Sequence, residues 1–208
     1  MTKNFLRRYT DLPSLIYTLS KRKLTLSNPI LWDDINDSHY LLRYRDQKRL
    51  GSVLALCFTQ TDDSYQLWRV FANGPSGVCV IFKRDKLLSA FTNDSKIRMG
   101  NVNYFTLKKI RKHKPKLDQL PFVKRWPFKN EGEFRIIYNS KTDNLASHDI
   151  SISLASISRI LLSPWLHKNL SDSIKAALRS IDGCSTLDIV RSTVVDNEEW
   201  KRIGGFAV

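Results

Sequence analysis

Three short apolar runs constrain this fold most: SVLALCFTQ at 52–60, GVCVIF at 77–82 and EFRIIY at 133–138. The first two read as strands buried on both faces, and the third as a further apolar strand. Short helical and polar stretches lie between them, without a regular strand–helix–strand alternation. That order predicts an α+β fold with a mixed, mostly antiparallel sheet and short helices. The chain has 208 residues, which suits one domain and needs no disulfide or metal staple. Nothing marks a domain boundary, a repeat or a low-complexity segment, so 1–208 is expected to be a single domain.

The finer pattern fills in the rest. FLRRYT reads as a first strand. DLPSLIYTLSKRK reads as a helix, with Asp11 as N-cap and Pro13 in the first turn. LTLS is a short strand. NPILWDDINDSHY is turn-rich and acidic, and HYLLRYRDQKRL is a short helix. TDDSYQLWRVFA is helical, DKLLSAF a short helix and NVNYFTL a strand. DISISL, SRILLSP and STLDIVRSTV read as later strands. SDSIKAALRSI reads as a helix capped by Ser171 or Asp172, and the last residues as a tail.

Lysine and arginine total 34 against 20 acids, a formal charge of +14. An excess of that size speaks to partners, and nucleic acid is the commonest polyanion for it. Residues 101–130 hold nine of these cations against one acid, Asp118. The candidate nucleic-acid contacts are Lys108, Lys109, Arg111, Lys112, Lys114, Lys116, Lys124 and Arg125. Tyr104, Phe105, Phe122, Trp126 and Phe128 interleave them, as in single-strand binders that pair cationic grooves with stacking platforms. A solvated loop beside core aromatics is the plainer alternative.

Cys57, Cys79 and Cys184 have no CxxC spacing and sit in apolar or strand-like settings, as free thiols do in a reducing compartment. The N-terminus has no apolar stretch of signal type, and no run of 18 apolar residues occurs, so a cytoplasmic protein without a membrane span is expected. The four histidines lack zinc-site spacing, and no nucleotide-binding glycine loop is present. No metal site is expected.

Two further clusters carry possible chemistry. Trp32-Asp33-Asp34-Ile35-Asn36-Asp37 is an acidic island without the spacing of a calcium loop, and a local hydrogen-bonded turn would explain it. In the strand around EFRIIY, a period of two turns Glu131, Glu133 and Arg135 to one face and Phe134 and Ile136 to the other. Two carboxylates and an arginine on one face are costly to bury without a ligand or partner. An exposed Glu133–Arg135 ion pair would be the bland reading.

The order of motifs resembles the bacterial domain of unknown function family 2971. The opening strand is Leu6-Arg7-Arg8-Tyr9, and the acidic motif is 32–37. Cys57-Phe58-Thr59 follows, then Trp68, Phe71 and Ala72 with Gly77, Val78, Cys79, Val80 and Phe82. Val102 and Tyr104 come next, and last Trp126, Glu131, Glu133 and Arg135. The resemblance spans about residues 5–195. The chain departs from the family pattern at Asp33, Ile35 and Phe71, where Asn, Pro and Tyr are usual, so roles needing that amide or hydroxyl are not carried over.

That layout is similar to ADP-ribosyltransferases of the toxin and phage-defence kind. The resemblance implies NAD as cosubstrate, held by Arg8, Tyr9, Trp68 and Phe71. It implies Glu133 as the carboxylate that stabilises positive charge on the ribose, with Glu131 activating the acceptor. Nucleic acid or protein would be the acceptor, and a cognate antitoxin a possible partner. Two alternatives stay open on the residues alone. One is a non-enzymatic nucleic-acid-binding module. The other is a metal-dependent nuclease using Asp33, Asp34, Asp37 and Glu133.

Overall fold

Asp11 ends the first strand, β1 (Phe5–Asp11), by turning its carboxylate onto the helix that follows, where it accepts from the Ser14 N–H at 2.8 Å. Helix α1 (Leu12–Lys21) then runs to Arg22, whose left-handed backbone (φ 55°) stops it. In this computed structural model, which describes residues 4–205, the chain continues through β2 (Lys23–Ser27), α2 (Ile35–Gln47), β3 (Ser52–Thr59), α3 (Tyr65–Phe71) and β4 (Gly77–Lys83). Next come α4 (Arg84–Leu88), β5 (Ile97–Asn101), β6 (Asn103–Phe105), α5 (Leu107–Lys112) and β7 (Val123–Arg125). The last elements are β8 (Glu133–Ser140), β9 (Ser147–Ser151), β10 (Ile157–Leu162), α6 (Lys168–Arg179), β11 (Ile189–Arg191) and α7 (Glu198–Gly204).

Nine strands form one sheet in the order β11-β10-β4-β1-β3-β2-β9, with β8 beside β3 and β5 beyond β8. Its pairings are antiparallel except β10 with β11, and β6 and β7 make a separate parallel pair. The expected α+β class with a mixed, mostly antiparallel sheet is the observed one. One face is closed by α1, α4 and α6, which bring Leu15, Leu19, Leu87 and Leu178 onto Leu54, Leu56, Phe82 and Ile136. The opposite face carries two smaller cores. Helix α2 covers Ala55 and Ile137 with Leu41 and Tyr44, and α3 covers Tyr9, Cys79 and Leu161 with Leu67 and Trp68.

A split in the sheet separates those two cores. Strand β3 pairs with β8 along its whole length, from Ser52↔Ser140 to Thr59↔Glu133. Its other edge meets β1 only at Arg7↔Thr59 and β2 only at Ser27↔Ala55. Between these two contacts β1 and β2 part from β3, and among the described residues no strand lies beside the edge at Cys57.

Three local expectations need correction. The acidic island opens a helix: Asp34 accepts from the Asn36 and Asp37 N–H groups and caps α2. Helix α6 starts earlier than Ser171, because the His167 ring nitrogen accepts from the Asn169 N–H. The segment read as a tail contains α7, where Asn197 caps the first turn through the Trp200 N–H.

Candidate active site

Strand parity decides which side chains meet. Thr59 and Glu133 are register partners, as are Cys57 and Arg135, so these four lie on one face of the sheet. Arg7 pairs with Thr59, which puts Arg7 and Tyr9 on that face and turns Arg8 to the other. Helix α2 then lowers Asp37 over the group.

Five charges interlock there. Arg135 is fully buried and donates to Asp37 twice, Nη1 to Oδ1 at 2.9 Å and Nη2 to Oδ2 at 2.6 Å. Its Nε donates to Glu133 Oε1 at 2.6 Å, and Nη1 also reaches the Pro121 carbonyl at 2.9 Å. Lys124 Nζ donates to Glu131 Oε2 at 2.7 Å and to Glu133 Oε2 at 3.3 Å, and lies 3.6 Å from Asp37 Oδ2. Three carboxylates against two cations leave the cluster with one negative charge in excess. The Glu133 N–H is fixed as well, donating to the Tyr104 hydroxyl at 2.8 Å.

Glu131 arrives by a different route than expected. It closes a 3-10 turn, Trp126–Glu131, and is not part of the strand. Gly132 (φ 52°) reverses the chain into β8, so the period of two holds for Glu133 and Arg135 only. The Glu131 side chain still faces the cluster, and the Thr59 hydroxyl donates to its carbonyl.

Burial alone would push the Glu133 carboxyl up, but the Arg135 guanidinium and the Lys124 ammonium outweigh it and hold the group at about 2. Glu133 is therefore ionised at neutral pH. Burial raises the Glu131 carboxyl despite Lys124 beside it. The Cys57 thiol is pushed well above its ordinary value by burial and by the Glu133 charge, so it stays protonated.

The cluster forms one wall of a cavity of about 430 Å³ that occupies the split in the sheet. Glu131, Glu133, Arg8, Tyr9 and Phe71 all line it. Arg8 reaches through the split, its Nη1 donating to the Cys57 carbonyl at 3.3 Å on the unpaired edge of β3. No carboxylate among the described residues pairs with it. Its neighbour Arg7 lines the cavity too but is engaged, with Asp62 Oδ1 at 2.8 Å and the Thr61 carbonyl at 2.9 Å. Trp32 closes the wall over Arg135, its ring centre 5.1 Å from the guanidinium carbon.

Two of the sequence expectations do not fit this geometry. Trp68 is fully buried beneath Tyr9, edge-on at 5.1 Å, with its Nε1 donating to Asp63 Oδ1 at 2.6 Å. It supports Tyr9 and has no surface on the cavity. Lys124 leaves the basic surface: its side chain is 9 % exposed and its charge is spent on the acids. Lys108, Lys109, Arg111, Lys112, Lys114, Lys116 and Arg125 are exposed, and among the described residues none makes an ion pair.

Sequence reasoning missed Asp37 as a partner of Arg135. The acidic island was the available signal, but nothing in it points to a residue 98 positions away. The same contacts weaken the nuclease alternative, since Asp37 and Glu133 serve Arg135 and Asp34 caps a helix.

A family model matches residues 67–144. That family is DUF2971, described as a protein of unknown function. The match covers the motifs from Trp68 to Arg135, and the opening strand and the acidic island lie outside it. Among solved structures, the chain is similar to Thermus sp. 2.9 DarT in complex with ADP-ribosylated ssDNA. The TM-score is 0.50 at 10% identity, covering 92% of this chain and 95% of that one. A structure of that DarT with carba-NAD+ gives a TM-score of 0.48 at 10% identity, covering 92% and 97%. At this identity the first likeness is one of fold alone. No curated protein matches the chain in sequence.

Proposed function

We propose that this chain is an NAD-dependent ADP-ribosyltransferase that modifies nucleic acid. The observation that carries the proposal is an ionised Glu133, held by Arg135 and Lys124 in the wall of a cavity of about 430 Å³. The same cavity contains the unpaired Arg8 guanidinium. A site with a fixed anion and a separate free cation suits a ligand that is anionic at one part and becomes cationic at another.

The residues present fit NAD on that ground. Arg8 has donors to spare for a pyrophosphate, since among the described residues its guanidinium makes a single hydrogen bond, of 3.3 Å. Tyr9 and the half-exposed Phe71 offer ring faces along the cavity. NAD supplies, when bound, a ribose whose bond to nicotinamide breaks with the electron pair leaving on nicotinamide. Glu133 stabilises the positive charge that builds up on a sugar ring, and its two hydrogen-bonded cations keep it oriented without neutralising the whole cluster. Glu131, with a carboxyl raised by burial, takes the proton from the acceptor nucleophile. The unpaired basic face supports a polyanionic acceptor, and a transferase of this kind suits the toxin or phage-defence setting that the family resemblance implies.

Calorimetric titration with NAD tests the reading. Saturable heat in wild type, weakened at least about tenfold by Arg8→Ala, is the expected result. Folded wild type that takes up no NAD at millimolar concentration would leave the basic face as the only functional feature. That outcome favours the non-enzymatic binding module.

A further inference from the structure

We infer that a second cavity, beside α5, seats a base of a single-stranded nucleic acid acceptor; this rests on the transferase reading above. The cavity measures about 360 Å³. Phe105, Leu107 and Ile110 form one wall and Ile35 and Tyr40, from α2, the other. Asp37 and Lys124 belong to its lining and also to that of the first cavity. A ligand in the second cavity therefore lies one side chain away from the Glu131–Glu133 cluster, separated by the Asp37–Lys124 contact.

The lining surface is mostly apolar and open to water, with Asn36 and His39 as further polar members of the α2 wall. Ile35 is 77 % exposed and Leu107 56 %. Exposed apolar surface of this kind around a hollow marks a binding site more often than an accident of folding. The rim is cationic: Lys108, Lys109, Arg111, Lys112 and Arg125 are exposed, and among the described residues none has an acidic partner. Lys109 Nζ stands 4.5 Å over the Phe105 ring centre, so a cation and an aromatic face are presented together. An apolar slot with a cationic rim matches a flat ring carried on a phosphate chain. A base stacked inside a duplex cannot enter such a slot without being extruded, so a single strand is the matching partner.

The test is fluorescence anisotropy with one labelled sequence of about twelve nucleotides, offered as single-stranded DNA, single-stranded RNA and duplex DNA. The variants are Phe105→Ala and Leu107→Asn, which change no charge, and Lys109→Ala and Arg111→Ala, which do. At least one single strand binds, and the duplex binds at least about tenfold more weakly. Phe105→Ala and Leu107→Asn each weaken single-strand binding about tenfold and leave its salt dependence unchanged. Lys109→Ala and Arg111→Ala each reduce the slope of log affinity on log salt by about 0.7. The tighter single strand identifies the acceptor's sugar. Leu107 is exposed, so Leu107→Asn keeps the fold even if Phe105→Ala does not.

Variants that bind single strands as wild type does, or a duplex that binds as tightly, overturn the assignment. Calorimetry with NAD on the same proteins keeps the two readings apart. Unchanged NAD uptake in Leu107→Asn with unchanged oligonucleotide binding removes this site alone. Absent NAD uptake in wild type removes the transferase reading.

Discussion

The Arg135 guanidinium grips the Asp37 carboxylate through two parallel hydrogen bonds, 2.9 and 2.6 Å long, and so ties β8 to the first turn of α2. Both side chains are out of water, and Arg135 also holds Glu133. One guanidinium thus sets the position of the carboxylate in the cavity and of the helix that walls it. Removing one partner of a buried pair leaves the other charge stranded. Asp37→Ala is expected to destabilise the fold by about 3–5 kcal/mol. Asp37→Leu combined with Arg135→Met is expected to cost less than Asp37→Ala alone, measured by urea denaturation. A double variant less stable than the single one would contradict this.

The pH dependence of stability follows from Glu133. Its folded carboxyl sits at about 2 against an ordinary 4.5. A depressed carboxyl stabilises the fold fully above its unfolded value and loses that contribution as pH falls toward the folded one. Wild type should therefore lose stability relative to Glu133→Gln between about pH 4.5 and 2, in denaturation curves taken across that range. Asp37, whose carboxyl is raised by burial and in part by the Glu133 charge, acts in the opposite sense, so the difference between the two proteins reports Glu133 together with its effect on Asp37. A difference that stays flat with pH would show that Glu133 is not held ionised.

Lys124 restrains Glu131 as well as Glu133. Lys124→Met removes the ammonium that opposes the burial of Glu131, so the Glu131 carboxyl rises further. If ionised Glu131 accepts a proton during transfer, the acid limb of the pH–rate profile moves to higher pH, and Lys124→Arg restores it in part. An unmoved acid limb in Lys124→Met would exclude that role. Oligonucleotide binding gives a second readout: Lys124→Met leaves its salt slope unchanged, because this lysine is not on the basic face.

Gly132 makes the reversal that delivers Glu131. A β-carbon there would meet Thr61 Cγ2 at 3.0 Å, on a backbone with φ 52°. Gly132→Ala is expected to lose about 1–2 kcal/mol in denaturation and to reduce transfer by displacing Glu131. Full stability and activity in this variant would mean that the turn tolerates a side chain.

Much of this arrangement is legible in the chain. The buried strands declare themselves by apolar runs, and Asp11 and Pro13 mark α1 because capping chemistry is local. Glu133 and Arg135 fall on one face by simple alternation. What stays hidden is non-local. The choice between Arg7 and Arg8 depends on the register of β1 against β3, since one position turns a side chain to the other face. Lys124 counts as surface charge in any window of sequence, and only the packing of β7 against the acids shows otherwise. Trp68 lies in a motif with cavity residues, yet Tyr9 lies between it and the cavity. The helix in the C-terminal segment has an Asn cap but no strong apolar stripe, so it reads as a tail.

The most direct test is transfer itself. Wild type and Glu133→Gln are incubated with NAD and a single-stranded oligonucleotide, with nicotinamide release followed by chromatography and the oligonucleotide by mass spectrometry. Wild type releases nicotinamide and the oligonucleotide gains the mass of one ADP-ribose, and both signals fall about 100-fold or more in folded Glu133→Gln. Folded wild type that releases no nicotinamide, or Glu133→Gln that reacts at the wild-type rate, would contradict the transferase reading.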